Sequence, residues 1–362
     1  MYYLLTLAVF GAIYGTLAIG LNIHWGYTGI LDFMYIAFVA VGGYVTALLM
    51  LPPSQPAFQE FYVLGLNWPF IPAIIVGGLA SSLLAFIMGL LSLNRLRSDY
   101  FAIVTVAASL VLYTIAGNDT PLVNGWDGIS GIPQPFQSVL NLDYNSYQIF
   151  FLGLCIVVLI ITFLFSERLR RSPFGRSLRS VREDEMVAQG LGKNVFALRL
   201  KAFVIGAFFA GVGGSLLVIY VDAFNPSSWT TGETFFLWAA LLLGGSANNW
   251  GAMLGALIVP VLFGEITRFL PTSLFPSPQI VDAFRYVAIG VLLILTVRFR
   301  PQGIIAERRF RVRKSKLKML EPALAGASAG GGVHITDADF EGDPGTLPDR
   351  DAGAPRGEGP TI

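Results

Sequence analysis

Between two long apolar runs, residues 167–201 read ERLRRSPFGRSLRSVREDEMVAQGLGKNVFALRLK and hold nine of the 24 Lys and Arg residues together with four acids. The whole chain is 54% hydrophobic and 13% charged, so charge gathered this tightly must sit in water while its flanks sit in an apolar medium. At the centre of this island, residues 180–191 have helical spacing. They carry Glu183, Asp184 and Glu185 followed by small and apolar residues. A short water-facing helix of that composition suits docking onto a soluble partner.

The flanks extend the same logic. Covering the hydrocarbon core takes about 20 mostly apolar residues. Runs of this kind fall at 2–21, 31–51, 69–93, 100–116, 147–166, 202–221, 234–248, 251–268 and 283–299. The expected fold is all-α, a polytopic transmembrane bundle of eight or nine spans. The seventh and eighth runs are short and meet at GGSANNWG (244–251), as two spans with a tight turn or as a partly re-entrant hairpin. The first run has no basic leading segment or cleavage signature and reads as a retained span. The loops 52–68, 117–146 and 222–233 contain no Lys or Arg, whereas 94–99, 167–201 and 298–318 are rich in them. By the positive-inside rule the three basic segments and the C-terminus face the cytoplasm, and nine spans put the N-terminus outside.

Several chemistries are excluded or weakened. The one cysteine, Cys155, lies in an apolar run, and the only histidines, His24 and His334, are far apart in sequence, which argues against a disulfide framework, a thiolate site and a His-based centre. The segment GLGKN (190–194) fails as a phosphate loop, having Val187 where Gly is needed and Asn194 where Ser or Thr is needed. No other stretch fits, so no nucleotide-binding loop and no cofactor are expected. Asp32, Asp99, Glu265, Arg268 and Arg285 fall near span ends and read as interfacial residues rather than a relay. Gly206, Ala210 and Gly214, and likewise Gly251 and Gly255, read as helix-packing positions. Residues 1–301 form the membrane domain. Residues 302–322 are a basic segment suited to anionic membrane lipid rather than nucleic acid. The acidic, Gly- and Pro-rich 323–362 is expected to be a disordered tail.

Four segments in order, LRSDYFAIVT (96–105), GISGIP (128–133), GRSLRSVREDE (175–185) and FRPQG (299–303), resemble the branched-chain amino acid permease family of ABC importers, on the LivM side of its LivH/LivM pair. The likeness covers about residues 1–305. It implies a prokaryotic cytoplasmic-membrane protein that pairs with a LivH-like permease, two ATPase subunits and a periplasmic or lipid-anchored binding protein. It further implies that the cytoplasmic island, with Arg179, Glu183, Asp184, Glu185, Ala188 and Gly192, contacts the ATPase. In the family's Glu-Ala-Ala-x-x-x-Gly-like pattern only Ala188 and Gly192 match here, and the acid is displaced to Glu185. Leu110 is a second departure, at a position where relatives often carry an acid.

A branched-chain amino acid needs backbone dipoles and polar groups beside apolar walls, and helix N-termini can meet its carboxylate. Trp25, Thr28 and Asp32, then Asp99, Tyr100 and Thr105, then Ser246 and Asn248, supply such material, and they are the candidates for a translocation path. The segments 25–29 and 244–251 read either as path-lining breaks or as ordinary turns. Two other classes stay in view. An ion-coupled secondary transporter would need a midplane acid or a sodium site at unwound helices. A membrane-embedded enzyme would need paired acids or an activated nucleophile. Urea or short-chain amides are the alternative cargo within the family.

Overall fold

The computed structural model describes residues 2–53, 62–136, 143–259, 278–300 and 302–305. Contacts divide the chain into Met1–Arg308 and Arg309–Ile362, and only the first unit holds described residues. The 323–362 tail and most of the 302–322 basic segment therefore lie outside them. The helices are α1 (Tyr2–Thr28), α2 (Tyr35–Met50), α3 (Phe70–Ser92), α4 (Ser98–Asn118), the single turn α5 (Thr120–Val123), α6 (Tyr144–Arg171), α7 (Pro173–Glu183), α8 (Glu185–Gly190), α9 (Val195–Val221), α10 (Thr231–Gly244), α11 (Asn249–Ala256) and α12 (Pro278–Phe299). Among the described residues, five helices, covering 3–28, α3, α4, 146–171 and α9, are long and apolar enough to cross a membrane.

The apolar runs reappear as helices with shifted ends. The first extends to Thr28, and the sixth begins at Val195, where the Asn194 cap rather than hydropathy sets the start. The second run, read as 31–51, is a helix only from Tyr35 to Met50. At 16 residues it is about 24 Å long, short of the hydrocarbon thickness. The eighth run reaches past Val259, beyond the described residues.

At the centre, α9 packs against α1, α2 and α3 along faces of small residues. A Cβ placed on Gly42 would lie 2.3 Å from the Gly211 backbone, so α2 and α9 touch main chain to main chain. With no hydrophobic drive between helices in lipid, such close approach and short polar contacts hold them together. The Thr46 and Ser215 hydroxyls stand 2.6 Å apart, and Ser81 donates to the Phe38 carbonyl at 2.7 Å. Gly206, Ala210 and Gly214 serve helix packing as expected: a Cβ on Gly206 would strike His24, one on Gly214 the Val39 carbonyl, and Ala210 is fully buried. The same holds for α10 and α11, where Gly255 lies against the Ala240 carbonyl. The outer faces of α3, α4 and α6 stay apolar and exposed, with Leu83, Ile103 and Ile161 among their residues.

The two ends differ in chemistry. At one end the loops without Lys or Arg knit together: Tyr62 bridges Val123, and β1 (Ile129–Ser130) pairs antiparallel with β2 (Ala223–Phe224). At the other end the basic segments meet. Arg95 and Arg97 line a groove of about 530 Å³ with Glu185, Lys193 and Arg199. Ile304 and Ile305 donate main-chain bonds to the Leu243 and Gly244 carbonyls at 2.8 and 3.0 Å. The charge asymmetry of the sequence is thus an asymmetry of the folded bundle.

Candidate functional site

The charged end holds the two groups of residues singled out above. In the island, Ser172 caps α7 by accepting from the Gly175 amide at 3.1 Å, with Pro173 in the first turn. The continuous helical spacing expected over 180–191 is corrected by a break. Asp184 leaves the helix in an extended conformation, and its carboxylate accepts from the Val187 amide at 2.9 Å, starting α8 as a separate helix. An Asp that can cap a new helix competes with continuation of the old one.

One apolar cluster then fixes α8. Val181, Ala188 and Val195 form one small buried cluster joining α7, α8 and α9. Glu185 pairs with Arg199 at 2.8 Å. Gly192, at φ +73°, turns the chain back toward α9, where Asn194 caps by accepting from the Ala197 amide at 2.9 Å. Arg179 is half-buried on α7, and Glu183 and Asp184 are exposed. Because Ala188 faces inward, the outward surface of α8 falls to other residues. Met186 is 82% exposed, Val187 58% and Leu191 72%. The sequence showed small and apolar residues in this segment but not which of them stand open. Their signal was the presence of Met, Val and Leu inside a segment that is otherwise polar.

The second group lies where α1 ends. Residues 25–28 are helical, which corrects the reading of 25–29 as a break. The non-helical stretch is instead 29–34, beginning at Gly29 with φ +71°. Asp32 sits at the helix end, as its place in the sequence suggested, but inside the protein. It is fully buried, its Oδ1 accepting from the Met34 amide at 2.8 Å and its Oδ2 lying 2.9 Å from His24 Nδ1. The other ring nitrogen of His24, Nε2, is 2.8 Å from the Phe203 carbonyl. A carbonyl can only accept, so Nε2 carries a proton, and the Nδ1–Oδ2 contact needs one more. The pair therefore shares that proton and is neutral overall, whichever atom holds it. The Trp238 indole donates to the Asp32 carbonyl at 2.9 Å, and its ring lies 5.2 Å from that of Trp25. Distance in sequence between the two histidines had hidden the role of His24, because its partner is an aspartate across the helix end.

Thr28 donates to the His24 carbonyl, and Thr105 accepts from the Phe33 amide at 3.2 Å. Both threonines are fully buried. Trp25, Thr28, Asp32 and Thr105 thus come together around 29–34, whereas Asp99 and Tyr100 are exposed on the first turn of α4. Ser246 and Asn248 are half-buried in the α10–α11 turn. Asn248 caps α11 by accepting from the Trp250 amide at 3.1 Å. That turn reaches α1 through Asn22, whose Oδ1 accepts from the Ala247 amide at 2.8 Å. Among the described residues no group of three or more His, Cys, Asp or Glu could hold a metal ion.

A helical bundle with several membrane-length apolar helices and one basic end, where three apolar side chains stand open, defines a multi-pass membrane protein. The chain belongs to the family described as branched-chain amino acid transport system permease components, whose sequence profile matches residues 3–297. It is 31% identical over 343 residues to the high-affinity branched-chain amino acid transport system permease protein LivM of Escherichia coli (strain K12), covering 89% of this chain and 73% of that protein. It is 29% identical over 336 residues to a probable branched-chain amino acid transport permease protein LivM of Methanocaldococcus jannaschii, covering 85% and 95%. To the probable LivH permease of the same organism it is 27% identical over 294 residues, covering 80% and 87%. No solved structure matches the chain at a significant level.

Proposed function

We propose that this chain is the membrane-spanning permease subunit of an ATP-driven importer for branched-chain amino acids, of LivM type, in a prokaryotic cytoplasmic membrane. It would pair with a LivH-like permease, two ATPase subunits and a binding protein that delivers the cargo. The observation that carries this reading is the outward trio Met186, Val187 and Leu191, held on a capped helix between two membrane-length helices at the basic end. An ATPase closing on ATP would push α8, and with it the bundle, so that access alternates between the two sides. The relatives' names supply the cargo class, and uptake by the reconstituted assembly tests it. Leucine, isoleucine or valine should be carried in preference to urea or short-chain amides, and preference for urea would overturn the cargo assignment.

Nine spans with the N-terminus outside fit the alternation of the basic and basic-free loops. The tail 323–362 has too little apolar surface to serve as a docking segment. Truncation after residue 322 should leave complex formation and uptake unchanged, and loss of the complex would refute this.

The translocation path is proposed to run along Trp25, Thr28, Asp32, Asp99, Tyr100, Thr105, Ser246 and Asn248, at the face shared with the partner permease. In a Cys155→Ser background, Asn248→Cys should react with a small water-soluble thiol reagent at rest, since Asn248 borders a cavity. Thr28→Cys and Thr105→Cys, buried here, should react only during turnover. Silence at all three in every state would remove these segments from the path.

A further inference from the structure

Where α6 enters the island, a buried polar junction joins it to α1 and α11. The side-chain oxygen of Asn249, in the first turn of α11, lies within hydrogen-bond reach of three donors: Tyr27 Oη at 2.8 Å, Ser166 Oγ at 3.0 Å and Asn22 Nδ2 at 3.1 Å. Its amide nitrogen points the other way and donates to Glu167 Oε2 at 3.3 Å. Glu167 in turn accepts from Arg170 at 2.9 Å and Arg171 at 2.8 Å. One residue thus links the end of α1, the end of α6 and the start of α11. Asn249 is 1% exposed, and Asn22 and Ser166 are fully buried.

The surroundings make these bonds matter mechanically. A cavity of about 300 Å³ opens beside Glu167, between Arg170, Arg171 and the Ala247–Asn248 turn, with Trp250 and Ile305 on its walls. Close-packed interiors transmit displacement through their packing, but a void cannot. Beside this gap the hydrogen bonds of Asn249 and Glu167 tie the root of the island to α11, while α6 and α7 also pack directly on α1. The main chain approaches closely at the same point: a Cβ on Gly26 would lie 2.5 Å from the Ala247 amide nitrogen.

We infer that Asn249 is a positioning residue of the transport cycle, passing displacement of the island to the ends of α1 and α11. The inference rests on the reading of the island as the ATPase contact. A push on α8 moves α7 and the end of α6. Glu167 and Ser166 then pull on Asn249, and Asn249 carries α11 and, through Asn22 and Tyr27, α1. Those two elements border the 29–34 stretch and the α10–α11 turn, so the junction stands between the energy input and the segments proposed to open.

The test uses the full assembly in proteoliposomes, with ATP hydrolysis and amino acid uptake read on the same sample. Asn249→Ala should lower the uptake obtained per ATP about tenfold, within the range by which changes along a coupling network act, while hydrolysis stays high. Tyr27→Phe removes one donor but keeps the packing, and it should lower the same ratio to a lesser degree. It also carries the test if Asn249→Ala does not assemble. A purely structural role would lower uptake and hydrolysis together at constant ratio, and that result in an assembling variant overturns the inference, as does an unchanged ratio in Tyr27→Phe. If instead Met186→Glu leaves ATPase association and hydrolysis untouched, the reading of the island fails, which is a separate outcome from failure of the junction.

Discussion

Replacing Met186 and Leu191 together by glutamate is expected to abolish ATP-driven uptake while the protein still inserts and folds. Both side chains are open to solvent in the isolated chain, so nothing inside the bundle depends on their apolar character. Burying each against a partner is worth about 1.5–3 kcal/mol, so losing both weakens association by at least about a hundredfold. The new carboxylates would also have to be desolvated in the same interface. Co-purification of the ATPase subunits with the detergent-solubilised permease, alongside uptake, reads the effect. Wild-type co-purification would remove α8 from the contact. Charge reversal at Glu183 and Glu185 probes the same surface less cleanly, because Glu185 is paired with Arg199 and its reversal disturbs the fold of the island as well.

The second large effect is expected at Asp32. Asp32→Ala leaves His24 Nδ1 facing an apolar side chain and strips the Met34 amide of its acceptor, all of it buried. Removing one partner of a buried pair costs about 3–5 kcal/mol, a large share of a typical folding free energy. Thermal unfolding of the purified permease should shift down markedly. Asp99→Ala is the comparison, since Asp99 is exposed in the first turn of α4 and its removal costs about 0.3–1 kcal/mol of helix-dipole interaction. Equal unfolding temperatures for the two variants would show that the His24–Asp32 pair does not hold the α1–α2 connection.

Much of the architecture is legible in the residues, for reasons that are local. Long apolar runs and the placement of Lys and Arg depend on transfer free energies that each segment carries by itself, so helix existence and the two chemically distinct ends could be read directly. The spacing of Gly206, Ala210 and Gly214 predicted a packing face because the helical period is fixed. What escaped were features that depend on where helices stop or on residues far apart in the chain. His24 and Asp32 become partners only because α1 runs on to Thr28 and the chain then turns back. Asn22 and Asn249 are 227 positions apart, and no periodicity connects them. The break at Asp184 had a visible signal, an Asp followed at once by an acid in the next helix's first turn, but the helical spacing on both sides concealed it.

The shared proton of His24 and Asp32 has an electrical consequence. A lone ionised carboxylate at this position would exchange about 2.3 kcal/mol with a membrane potential of 100 mV if it crossed the full field. The neutral pair exchanges none, so however far α1 and α2 were to travel in the proposed cycle, this pair would contribute no gating charge. A permease can thus keep a carboxylate between α1 and α2, where it accepts from the Met34 amide, without making that connection a voltage sensor.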